Sequence, residues 1–195
     1  MNPEIILASK SRARNEMLRG AGITFQSIPA DIDESAIIRN RPSNDVALIL
    51  AQQKALAISK QNPNAYVIGS DQILTCEGQI FEKASDKSAA RAKLETLRGK
   101  THQLISAAAI AKGSEILWHA TDAAELTMRN FDDDFLTRYL TAAKDDALSC
   151  VGAYALEKSG ITLFSDINGN YHTILGMPLL PLLAYLQDEL GIELL

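Results

Sequence analysis

Two cysteines, Cys76 and Cys150, and no Cys-x-x-Cys pair leave neither a zinc-ribbon nor a dithiol redox motif to consider. Both read as free, buried thiols of a reducing compartment. An excess of positive charge is also missing. The balance of 19 basic and 24 acidic residues is −5, which argues against a general nucleic-acid binder but leaves room for a local anion pocket. No segment reaches the roughly 18 apolar residues of a membrane helix. The opening MNPEIILASKSRAR sets its apolar run before its basic residues, the reverse of a secretory signal. A cytoplasmic protein is expected, with no membrane partner. GxxxxGK(S/T), GxGxxG and HExxH are absent, so no Walker loop, dinucleotide fingerprint or zinc-protease helix is in view.

What is present is an ordinary globular composition, 47% hydrophobic and 22% charged over 195 residues, enough for one domain or for one domain with two lobes. EIILAS (Glu4 to Ser9) reads as a strand, Ser11 to Arg19 as a helix, and ITFQSIP (Ile23 to Pro29) as a second strand. Pro42 and Ser43 open a helix to about Lys60, with Ser43 as N-cap. AYVIGSDQIL is a strand, and Cys76 to Gln79 turns it back into QIFEK. A helix over Ser85 to Leu97 precedes two long strands joined at Lys112-Gly113-Ser114. Phe131 to Ala142 is helical with Asn130 as cap, ITLFSDI and YHTIL pair across Asn168-Gly169-Asn170, and Pro178 starts a last helix. Helices and strands alternate first and hairpins follow, which predicts a mixed α/β sheet with a cleft where its halves meet.

Several positions carry chemistry. In VIGSDQIL, Asp71 interrupts a run suited to a buried strand. Either the strand ends at Ser70 and Asp71 opens a turn, or the carboxylate points from the sheet into a cleft. LASKSRAR joins a strand to a helix, with Ser9, Lys10, Ser11, Arg12 and Arg14 at the junction. Such a junction suits phosphate, through free N–H groups, hydroxyls and guanidinium forks; it also reads as a serine cap with solvated arginines. Asp31, Asp33 and Glu34 are a candidate Mg²⁺ or Mn²⁺ cluster or a solvated acidic loop. Lys54 falls among Ala47, Leu50, Ala57 and Ile58 on a helical wheel, where an ammonium either meets an anion or snorkels. Lys83 in FEKAS alone reads as a loop lysine. His102, His119 and His172 lack metal-ligand spacing and read as structural, and Trp118 as a core or sheet-face residue. Two carboxylate groups, two lysines and a Ser/Arg junction together form a set suited to polyphosphate chemistry.

LASKSRARNEML resembles the signature opening the Maf family, L-A-S-x-S-P-R-R-x-x-L-L. The resemblance continues through IDES, QQKA, VIGSDQ, FEKA, RGKTHQ, VGAYALE and NGNYHTILGMPL, in order and over nearly the whole chain. It implies an inosine-triphosphatase-like α/β fold, a mixed sheet flanked by helices, as one domain over 1–195 with two lobes around a cleft. It further implies a house-cleaning pyrophosphatase that cuts a nucleoside triphosphate to a monophosphate and pyrophosphate with Mg²⁺ or Mn²⁺. By this resemblance Asp71 accepts the proton of the attacking water, with Gly69 and Ser70 leaving room for substrate. Glu34 joins Asp71 at the metal, and Ser9, Arg14, Lys54 and Lys83 hold phosphates. A homodimer is compatible with it.

The departures fall at informative places. Arg12 replaces the usual Pro, Ala13 the first Arg of the pair, and Ala84 the Pro after the second lysine. Ala13, Gln72 and Glu157 stand where the family tunes base recognition. Gln72 and Glu157 match a branch acting on 7-methyl-GTP, whereas Ala13 replaces that branch's Trp. A carboxylate at Glu157 suits guanine, since it accepts from N1–H and the 2-amino group; it also reads as a surface acid at a strand end. The alternatives are a dTTP/UTP or broad-range pyrophosphatase and, from another class, a nucleotide-binding regulator of cell division.

Overall fold

A computed structural model describes residues 3–38 and 43–193. The chain divides into two compact units: Met1–Gln72, Ile105–Asp122 and Tyr171–Leu195 form the first, and Ile73–Leu104 and Ala123–Asn170 the second. The strands are β1 (Ile5–Leu7), β2 (Gln26–Ser27), β3 (Tyr66–Cys76), β4 (Gln79–Phe81), β5 (Thr101–Lys112), β6 (Glu115–Met128) and β7 (Phe164–Asn168). They run in the order β2-β1-β3-β5-β6-β7, with β4 paired to β3. This is a mixed α/β sheet, parallel at β2-β1-β3 and antiparallel at β3-β4 and β6-β7.

In the first unit both faces of the sheet are covered. Ile5 and Leu7 of β1 pack with Leu18, Ile110, Leu182 and Leu186, whereas Ile6 and Ala8 pack with Ile58 and Val67. Alternate residues of one strand thus feed two apolar clusters, the pattern expected of a strand enclosed on both sides. The helices that supply the clusters are α1 (Arg12–Gly20), α3 (Ser43–Ser59) and α8 (Leu179–Asp188), with the short α2 (Glu34–Ile38) before α3. Trp118 packs against the first cluster and stacks on Tyr185 with centroids 5.4 Å apart. Pro42 lies outside the described residues.

The second unit holds α4 (Lys87–Leu97), α5 (Asp133–Ala143) and α6 (Asp146–Ser149). Its β3-β4 hairpin turns at Glu77 and Gly78, with φ of 51° and 79°. Positive φ at both central residues gives the twist that a two-residue hairpin turn needs.

Three expectations change. The cap of α5 is Asp132, whose carboxylate accepts from Phe135 N at 2.7 Å, not Asn130. ITLFSDI begins as a 3₁₀ turn, Ser159–Leu163, and its strand β7 pairs with β6. YHTIL is no strand: Tyr171–Ile174 is a helical turn, α7.

Candidate active site

Asp71 lies within β3, so the strand does not end at Ser70. The residue is only 8% exposed. A buried charge at mid-strand needs a partner, and α3 brings one. Lys54 Nζ lies 2.5 Å from Asp71 Oδ1 and 2.7 Å from Glu34 Oε1. Lys54 is itself buried, in the stripe Ala47, Leu50, Ala51, Ala55 and Ile58.

Gly69 explains the close approach. A Cβ there would lie 2.0 Å from Ala51 O and 2.6 Å from Ala55 N, so α3 rests directly on the β3 backbone one turn from Lys54. The expected room for substrate at Gly69 and Ser70 is therefore taken by the protein. Helix α3 fills the first position, and the fully buried Ser70 hydroxyl meets Ala107 O at 2.8 Å and Gly176 O at 3.0 Å.

The strand–helix junction after β1 is built around Arg14. Its Nε donates to Gly176 O at 2.9 Å and its Nη1 to Ser9 Oγ at 3.4 Å. Ser11 caps α1, accepting from Arg14 N, while Ser11 N donates to Ser9 Oγ. Burial lowers the guanidinium pKa below its ordinary value, and the charges of Asp71 and Glu34 pull it back up. Ser9, Arg14, Glu34, Lys54 and Asp71 thus belong to one electrostatic group within the first unit. Ala13 is half-buried on the first turn of α1.

Asp31 is exposed, and Asp33 Oδ1 accepts from Ala36 N at 3.0 Å, as an N-terminal cap of α2. Among the described residues no three His, Cys, Asp or Glu side chains form a metal-binding group, so the Asp31, Asp33, Glu34 cluster does not assemble. What converges instead is the pair Glu34 and Asp71.

Gln72 has a specific internal job. Its Nε2 faces Ser106 Oγ, Thr173 O and Ile174 O at 2.9–3.1 Å. Two carbonyls at that atom require the amide nitrogen there. Its two donor hydrogens are shared among Ser106 Oγ and the two α7 carbonyls, leaving Oε1 as the atom with acceptor capacity.

Lys83 and Glu157 are exposed and belong to the second unit. They act on one group, the Cys150 thiol. Burial pushes that thiol up, Glu157 pushes it further, and Lys83 lowers it. Cys76 and Cys150 are both free; Cys76 is buried and Cys150 half-buried. His102 is buried, with Nε2 2.7 Å from Tyr154 Oη, and burial lowers its pKa to about 4. Its Nδ1 has no partner among the described residues. No described helix is long and apolar enough to cross a membrane.

The Maf-like protein family model matches residues 4–189. The chain belongs to the Maf family. Among curated relatives, the 7-methyl-GTP pyrophosphatase of Brucella abortus biovar 1 is 46% identical over 99% of this chain and 100% of its own length. The nucleoside triphosphate pyrophosphatase of Granulibacter bethesdensis is 47% identical over 95% of this chain and 97% of its own. A solved HAM1 protein from Coxiella burnetii matches with a TM-score of 0.45 at 15% identity, over 66% of this chain and 74% of that one. Within this Maf chain, Lys93 is the buried charged residue that the sequence reading missed. The signal was available: it sits in an apolar stripe at helical spacing, as Lys54 does.

Proposed function

We propose that the chain is a metal-dependent nucleoside triphosphate pyrophosphatase that prefers a modified purine nucleotide such as 7-methyl-GTP. The observation that carries the reading is the buried Lys54–Asp71 pair joined by the exposed Glu34, in a family whose relatives bear pyrophosphatase names. Two carboxylates converging on one cationic atom are a donor set that fits Mg²⁺ or Mn²⁺. Such ions take one or two protein carboxylates and fill the remaining positions with phosphate oxygens and water. Glu34 and Asp71 would hold the ion, which when bound neutralises phosphoryl oxygens.

The chain's own residues do the rest. A free carboxylate oxygen of Asp71 accepts a proton from a water molecule. The water oxygen bonds to the α-phosphorus, the α–β bridging bond breaks, and pyrophosphate leaves with the bridging oxygen. Lys54 and Arg14 supply positive charge to the phosphates, Ser9 a hydroxyl and Lys83 a further ammonium. Glu157 accepts from the guanine edge. A 7-methylguanine base carries positive charge, which favours an acidic neighbour over a neutral one. The two free thiols fit a cytoplasmic setting.

The test is a panel of 7-methyl-GTP, GTP, dTTP and UTP with Mg²⁺ or Mn²⁺, resolving pyrophosphate from single phosphate. Pyrophosphate release led by 7-methyl-GTP is expected. Release led by dTTP or UTP overturns the base preference, and nucleotide binding without turnover overturns the enzyme reading.

A further inference from the structure

Lys93 is a buried lysine that the chemistry above does not use. It sits on α4 in the stripe Ala90, Lys93, Leu94 and Leu97. An ammonium on such a face costs stability unless its donors are met. They are met by backbone: Nζ donates to Glu82 O and, at 2.8 Å, to Val151 O. Glu82 immediately precedes Lys83, and Val151 opens VGAYALE, which ends at Glu157. One side chain therefore bridges the segment of the phosphate lysine and the segment of the base-reading carboxylate.

The second segment is held at further points. Tyr139 Oη donates to Ala153 O at 3.0 Å, and Tyr154 Oη meets His102. Ala153 has a φ of 59°, a left-handed conformation unfavourable for a non-glycine residue. Its shape is thus imposed by the groups around it. Of these ties, Lys93 is the one that also reaches the Lys83 segment. Burial lowers its pKa to about 8, against the raising effect of Glu82; a neutral amine keeps two N–H donors, so the bridge survives deprotonation.

We propose that Lys93 is a positioning residue: by joining the carbonyls of Glu82 and Val151 it fixes Lys83 and Glu157 in register for one nucleotide. This rests on the pyrophosphatase reading. It follows that Lys93 acts on substrate binding and base choice, and only weakly on the chemical step at Asp71.

Lys93→Met keeps length and apolar contact but has no donor, whereas Lys93→Arg keeps donors and charge. Two measurements on the full chain are paired: hydrogen exchange over 81–84 and 150–157, and steady-state kinetics with 7-methyl-GTP and dTTP. The expected result for Lys93→Met is faster exchange in both segments together. Its KM should rise on the order of tenfold, and its preference between the bases should narrow by a similar factor. Its kcat should change little, and Lys93→Arg should recover most of the loss. Unchanged exchange in either segment overturns the bridge. Faster exchange with unaltered KM and base preference overturns the positioning role. Should Lys93→Met not fold, the same comparisons on Lys93→Gln decide: its shorter amide spans the two carbonyls poorly, so wild-type exchange or wild-type KM overturns the proposal. A wild-type chain that turns over no nucleotide instead refutes the pyrophosphatase reading, while the exchange comparison still reports on the bridge.

Discussion

Lys54 is one ammonium shared by two carboxylates, and the three residues differ in exposure. Asp71 and Lys54 are buried, whereas the Glu34 side chain is 51% exposed. In the proposed reaction an incoming polyphosphate would take over Lys54 through its oxygens and leave both carboxylates to a divalent ion. The inward placement of Lys54 was legible from the helical wheel alone, because a lysine between alanines and leucines at spacing three and four has no other face to occupy. His102 is a different residue-scale case. Its imidazole is held neutral, with a pKa of about 4 against an ordinary 6.5. As pH falls the unfolded chain takes up the proton first. The stability gained by keeping His102 neutral is therefore complete above pH 6.5 and is lost progressively down to pH 4, by at most about 3 kcal/mol. Thermal melts of wild type and His102→Gln at pH 7 and pH 4.5 check this. Wild type should lose more Tm on acidification than the variant, and parallel losses would refute it.

Helix α3 and strand β3 form the working element pair, and Gly69 is what lets them touch. With a Cβ 2.0 Å from a backbone carbonyl oxygen, Gly69→Ala must push α3 away from β3 and carry Lys54 off Asp71. A destabilisation of about 3 kcal/mol is expected, with a larger loss of turnover than of nucleotide binding. A denaturant titration and an activity assay read the two effects. Near wild-type stability and turnover would mean that the contact is looser than described. Elements whose pattern and packing agree, such as α3 and the β5–β6 hairpin, were legible in the sequence. Helix α7 was not. YHTIL alternates like a strand, but Ser106 Oγ donates to Thr173 O, and Gln72 Nε2 donates to Thr173 O and Ile174 O. Those tertiary hydrogen bonds, invisible to local periodicity, stabilise a helical turn. Gln72 was placed among the base-reading positions by resemblance; its donation to α7 depends on residues about a hundred positions away.

At the scale of the molecule, the chain passes between its two units after Gln72, Leu104, Asp122 and Asn170. Neither unit is one continuous stretch, so each draws its residues from distant parts of the sequence. Ser9, Arg14, Glu34, Lys54 and Asp71 lie in the first unit, on segments up to 62 positions apart, and Lys83 and Glu157 belong to the second. The net charge of −5 coexists with the cations Arg14 and Lys54 within the first unit, so an acidic protein still carries local positive charge. Composition argued against a general nucleic-acid binder, and the order of motifs pointed to the family that the family model matches. No linker marks the division, because three of the four boundaries fall inside β3, β5 and β6. Asp71 is the residue on which the account turns. The decisive measurement is turnover and nucleotide affinity of Asp71→Asn beside wild type, with products resolved. A fall in kcat of roughly 10²–10⁴-fold with affinity retained is predicted for loss of the proton acceptor; turnover near the wild-type rate would contradict it.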